Sequence, residues 1–124
     1  MVTLVVDDYD DAIDYYCTAL GFELVEDTPL SDVKRWVVLR TAPGGADVLI
    51  AKAATDEQRA AVGHQTGGRV AFFLHTDDFD TDYQRMVAAG VDFTEAVRHE
   101  EYGRVVVLRD PYGNKWDFVE RGTR

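Results

Sequence analysis

Cysteine occurs once in 124 residues, at Cys17, so no internal disulfide can form and a disulfide-stapled secreted scaffold is excluded. No run of apolar residues approaches the 18 or so that a membrane span requires. The opening residues, Met1-Val2-Thr3-Leu4-Val5-Val6-Asp7, show neither a basic n-region nor a cleavage site, so no signal peptide is read and the cytoplasm is expected. Proline is scarce, at three residues, and there is no low-complexity tract or tandem array. Positive charge is also in deficit: 13 basic residues stand against 23 acidic ones, a net charge of −10. A field of that sign repels phosphates, which excludes nucleic acid and disfavours anionic membrane surfaces. It would attract a small cation, although acidity also serves solubility. The length fits one domain with a core that needs no staples.

What is present is an internal repeat of about half the chain. Residues 7–16, DDYDDAIDYY, answer to residues 77–86, DDFDTDYQRM, at an offset of 70. Gly21 answers to Gly90, and Arg35-Trp36-Val37-Val38-Leu39-Arg40 to Arg104-Val105-Val106-Val107-Leu108-Arg109, both at 69. Pro43-Gly44-Gly45 then answers to Pro111-Tyr112-Gly113 at 68. Drifts of one residue at turns mark a duplicated supersecondary unit, because loops tolerate length changes.

Each half reads as strand, helix and three strands. Val2, Leu4 and Val6 alternate at a period of two, an Asp caps the next helix, and Ile13, Tyr16, Cys17 and Leu20 form an apolar stripe ending at Gly21 as C′. Strands follow at Phe22–Glu26, Trp36–Arg40 and Val48–Ala51. In the second half the strands are Val70–His75, Val91–Thr94, Arg104–Arg109 and Lys115–Val119, around a helix over Thr81–Ala89. Between the halves, Thr55-Asp56-Glu57-Gln58 matches a capping box that opens a linker helix ending at Gly63. The expected boundaries are module 1 at about 1–53, a linker at 54–68 and module 2 at 69–124. The aspartates at 7, 8, 10, 11 and 14 lack the Gly and Glu spacing of a calcium loop and suit a helix start.

A duplicated βαβββ unit with these turns resembles the vicinal oxygen chelate superfamily of glyoxalase I, bleomycin-resistance proteins and extradiol dioxygenases. The motifs that carry the resemblance are Asp8-Tyr9-Asp10-Asp11-Ala12-Ile13-Asp14-Tyr15-Tyr16 with Leu20-Gly21-Phe22, and Asp110-Pro111-Tyr112-Gly113-Asn114 leading into Trp116-Asp117-Phe118. The resemblance implies an α+β fold of two tandem βαβββ modules, their curved mixed sheets around a cavity and helices outside, usually as a homodimer. Alternation places Arg69, Ala71, Phe73 and His75 on the cavity face, with Lys115, Asp117 and Val119, and in the first half Thr3, Val5, Leu49 and Ala51. Val70, Phe72, Leu74, Trp116 and Phe118 take the helix side.

In the family's metalloenzymes the ligands come from the first and last strand of each module. Those positions fall here at Met1, Leu49, Ala71 and Asp117, three of which cannot coordinate a divalent ion, so no metal or other cofactor is expected. The alternative is a metal-dependent lyase, isomerase or dioxygenase holding Zn, Ni or Fe at a displaced site of His75 and Asp117 with His64. The simpler reading has His75 bonded near its strand end and Asp117 paired with Lys115 or Arg69. His99 falls on an exposed loop. Cys17 sits on a buried stripe, where a thiol acts as a small hydrophobe, and neither a phosphate loop nor a Ser-His-Asp order is found. The leading expectation is a metal-free, small-molecule-binding protein similar to the bleomycin-resistance branch. Its candidate cavity residues are Asp117 and His75 as polar anchors, with Arg69 nearby, and Phe73, Tyr102 and Trp36 for stacking, Trp36 serving equally well as core.

Overall fold

The computed structural model describes residues 1–121, which divide into two compact units, one up to residue 62 and one from residue 63 on. The division falls within the stretch read as a linker. Each unit is built on its own mixed sheet, giving an α+β protein with sheets of four and five strands.

The N-terminal unit contains β1 (Val2–Val6), α1 (Tyr9–Thr18), β2 (Glu23–Pro29), β3 (Arg35–Arg40), β4 (Asp47–Lys52) and α2 (Asp56–Ala61). Its sheet runs β1-β4-β3-β2, with β1 parallel to β4 and the other pairs antiparallel. Asp8 caps α1 by accepting from the Asp11 amide at 2.9 Å, and Asp10 and Asp11 load its first turn with negative charge. Of the expected stripe Tyr16 and Leu20 are buried, and Tyr9, Ala12 and Ala19 complete the buried face in place of Ile13 and Cys17. Ile13 and Cys17 are only half-buried. The phase turns because Tyr9 and Tyr16 bury their rings: Tyr16 stacks on Phe22 at 5.9 Å, and the Tyr9 hydroxyl accepts from the Arg35 amide at 3.2 Å. α1 ends at Ala19, so Gly21 lies one residue beyond the expected C′ place. Thr55 caps α2 through the Gln58 amide, but the Gln58 side chain returns to the Ala54 amide instead of closing the reciprocal bond on Thr55.

The C-terminal unit contains β5 (Phe72–Thr76), α3 (Phe79–Ala88), β6 (Asp92–Phe93), β7 (Arg98–Glu100), β8 (Gly103–Arg109) and β9 (Lys115–Glu120). Its order is β5-β9-β8-β6, with β7 also paired to β8 and β5 parallel to β9. α3 starts two residues before the expected Thr81 because Asp78 caps it through the Thr81 amide. The loop expected around His99 is a strand: His99 lies on β7 opposite Arg104. Trp116 and Phe118 are buried toward α3, with Phe79 and Phe118 rings 4.9 Å apart. Burying a large apolar side chain of this kind contributes about 1.5–3 kcal/mol.

The repeat extends to side-chain chemistry. Arg35 lies over the Tyr9 ring and binds Asp10 and Asp27 at 2.9 and 2.6 Å. Arg104 lies over the Phe79 ring and binds Asp80 and Glu120, both at 2.7 Å. In each unit one arginine thus pins the start of the helix to the sheet. Strand register also follows the repeat: Thr3 pairs with Leu49 as Phe73 pairs with Asp117.

Candidate functional site

The C-terminal unit holds an open cavity of about 1500 Å³, with Phe73, His75, Asp117 and Val119 on the sheet and Glu101 and Tyr102 on the β7–β8 turn among its lining residues. The floor follows from register. Phe73 and Asp117 are partners across β5–β9, as are His75 and Val119, and each pair projects from one side of the sheet. Asp117 also faces Val107 on β8, so two apolar side chains flank its carboxylate.

Phe73 is 63% and Tyr102 55% exposed, an unusual state for aromatic rings unless something packs on them. The remaining lining is Gly103 with the charged residues Asp77, Glu100, Glu120 and Arg121. Asp77, Glu100 and Glu120 are held by Arg121, Arg98 and Arg104 at 3.1, 3.0 and 2.7 Å. Asp117 and Glu101 have no ion pair among the described residues. Arg104 holds the Glu120 carboxyl below its usual range by direct hydrogen bonds. Asp117 is pushed the other way: desolvation raises its pKa, opposed by the positive charge of Arg98 and assisted by the negative charge of Glu95. One of its oxygens, Oδ1, is buried without a hydrogen-bond partner among the described residues.

The structure therefore brings Phe73, His75, Tyr102 and Asp117 to one cavity. Arg69 is exposed and does not line it, and Trp36 belongs to the N-terminal unit, half-buried on β3 opposite Thr28. The expected partners of Asp117 are absent. Lys115 donates instead to the Gly68 carbonyl, and the basic group acting on Asp117 is Arg98, brought by the β7 strand that sequence patterning missed. The stretch Glu95–Glu101 has its only apolar residues, Ala96 and Val97, side by side and shows no apolar alternation, and only the two-residue turn before β8 could have flagged a hairpin.

The donor set does not fit the family's metal. Of Met1, Leu49, Ala71 and Asp117, only Asp117 offers an oxygen or nitrogen side-chain donor. No group of three or more His, Cys, Asp and Glu among the described residues could hold a metal ion, so His75, Asp117 and His64 do not assemble as a displaced site. No helix among the described residues is long and apolar enough to cross a membrane.

Comparison with known proteins adds to this geometry. An uncharacterized protein of Shewanella frigidimarina is 47% identical over 122 residues, covering 96% of this chain and 90% of the relative. Among solved structures, TioX from Micromonospora sp. ML1 is 27% identical with a TM-score of 0.76, over 98% of this chain and 97% of that one. TnmS3 from Streptomyces sp. CB03234, an antibiotic binding protein, is 27% identical with a TM-score of 0.70, over 98% and 93%. Residues 1–118 match the family model, and the chain belongs to the Glyoxalase/Bleomycin resistance protein/Dioxygenase superfamily.

Proposed function

We propose that this protein binds a small molecule, as its antibiotic-binding structural relative does, and holds an aromatic or cationic ligand in the cavity of the C-terminal unit without a metal. The observation that carries this reading is the exposed Phe73 ring beside the unpaired Asp117 carboxylate: a large apolar face left in water next to a charged group without an ion pair among the described residues. Stacking on Phe73 and Tyr102 would supply affinity, and Asp117 would supply polarity and orientation. Such a module acts by sequestration and needs no reaction. We place it in the cytoplasm, in keeping with its lone cysteine, as a homodimer that covers sheet edges, which light scattering at micromolar concentration tests directly.

Titration with planar aromatic antibiotics, followed by amide NMR shifts, is the direct test. Shifts should cluster at residues 73–75, 101–103 and 117–119, and Phe73→Ala should weaken binding at least tenfold, about 1.4 kcal/mol. Shifts confined to other regions, or affinity indifferent to Phe73, would overturn the reading.

A further inference from the structure

The orphan oxygen of Asp117 calls for an explanation, because buried polar atoms without partners are few and each one costs stability. The same position in the N-terminal unit shows that the fold does not require it. Leu49 occupies the equivalent place on β4, opposite Thr3, as Asp117 does on β9 opposite Phe73. An aliphatic residue thus satisfies this register, yet the C-terminal unit places a carboxylate there, between Phe73 and Val107, on the floor of a cavity.

Two classes of cation could enter such a cavity. A quaternary ammonium offers charge but no N–H, so it can meet the Phe73 and Tyr102 faces and the charge of Asp117 without hydrogen-bonding the carboxylate. Of the two, only a protonated amine or amidine offers both charge and a donor for a hydrogen bond to the Asp117 carboxylate. We infer that the cavity is specific for an aromatic ligand bearing a protonated nitrogen with at least one N–H, which donates to the Asp117 carboxylate. This rests on the small-molecule reading above and narrows it to a chemical class. Asp77, Glu100 and Glu120 are already held by arginines, which leaves Asp117 on the sheet and Glu101 on the β7–β8 turn, and only Asp117 lies between the apolar side chains of Phe73 and Val107.

Three probes with one aromatic body separate the possibilities at pH 7: 2-naphthylmethylamine, (2-naphthylmethyl)trimethylammonium and 2-naphthylmethanol. Dissociation constants are measured by NMR titration on the wild-type chain and on Asp117→Leu, the substitution the other unit already carries. The primary amine should bind at least tenfold tighter than both others, and Asp117→Leu should erase that preference. Thermal unfolding of Asp117→Leu should show a midpoint at or above wild type, because an unsatisfied group has been removed. Equal binding of the two cations, both above the alcohol, would overturn the N–H requirement and leave a charge-selective pocket. Equal binding of all three would overturn the inference and leave the aromatic pocket standing. Binding of none, or binding without shifts at residues 73 and 117, would overturn both this inference and the cavity reading. A marked loss of stability in Asp117→Leu would assign the carboxylate a structural role and overturn the inference as well.

Discussion

Replacing Asp110 with alanine withdraws one acceptor group from five N–H donors at once. Oδ1 takes the amides of Tyr112, Gly113 and Asn114 at 3.0, 3.1 and 3.0 Å, and Oδ2 takes Asn114 Nδ2 and Trp116 Nε1, each at 3.0 Å. Asp110 and Asn114 are 3% exposed and Trp116 is 2% exposed, so water cannot readily replace the lost acceptor. The turn itself does not depend on the carboxylate. In the N-terminal unit Ala42 stands at the equivalent place, and its carbonyl accepts from Gly45 as that of Asp110 accepts from Gly113. There, however, Ala46 and Val48 replace Asn114 and Trp116, leaving no side-chain donors to satisfy. A hydrogen bond to a charged group is worth about 1.5–3 kcal/mol, and the five are not additive, so Asp110→Ala should cost about 3–5 kcal/mol. At about 4 °C per kcal/mol for a chain of this size, the midpoint should fall by about 12–20 °C. Asp110→Asn should rescue little, because one of its two terminal atoms becomes a donor facing other donors. Urea unfolding gives the free energy, and repeating it in a Trp116→Phe background should reduce the Asp110→Ala cost by about 1 kcal/mol or more through the missing Nε1 bond. A cost of Asp110→Ala below about 1 kcal/mol, or strict additivity with Trp116→Phe, would refute the reasoning.

Two further outcomes concern stability. Gly63 has φ +73°, and an added Cβ would lie 1.8 Å from the Tyr112 carbonyl oxygen, whereas Gly90, at φ +79°, faces open space. Gly90→Ala should therefore show only the left-handed backbone penalty of about 1–2 kcal/mol, and Gly63→Ala distinctly more, as measured by chemical unfolding. Glu120 and Asp27 have depressed carboxyl pKa values, chiefly through hydrogen bonds from Arg104 and Arg35. Their contribution is complete above the unfolded carboxylate range near pH 4 and is lost as pH falls through the lower folded values, so Arg104→Ala should flatten the acid limb of the stability curve. Asp117 carries the opposite sign: its raised pKa makes the ionised form a penalty at neutral pH that fades as pH falls to about 4, so the gain from Asp117→Asn should shrink on acidification.

The repeat made most of the architecture legible. Because both units obey one pattern, an offset of 68–70 residues carried strand register from one half to the other, and the pairing of Thr3 with Leu49 and Phe73 with Asp117 follows it. Helix phase was harder. Tyr16 followed the expected stripe, whereas Tyr9 lay outside it, and what buries the Tyr9 ring is tertiary: the Arg35 guanidinium over its face and a bond from the Arg35 amide to its hydroxyl. β7 escaped for the reverse reason, since its residues are all exposed and its pairing to β8 rests on backbone bonds and the ion pairs of Arg98, which leave no apolar alternation to read. For the site, alternation sufficed for Phe73, His75 and Asp117, because they share sheet faces. Trp36 and Arg69 could not be sorted by that rule, which assigns a face but not a neighbour.

The parallel pairing of the outer strand in each unit bears on how the protein is made. β5 can pair only with β9, the last strand of its unit to leave a ribosome, whereas β8 and β9 are joined by the short Asp110–Asn114 turn and can zip locally. Closure of the sheet is therefore a late event that joins residues about 45 positions apart, and it alone sets Phe73 beside Asp117. A chain stopped before β9 would own the pocket side chains of β5, β7 and the β7–β8 turn but lack Asp117, Val119, Glu120 and Arg121, and so have only part of a floor. Binding competence should thus arrive in one step with the completion of the unit, so a ligand present during synthesis would select for finished molecules and not rescue partial ones.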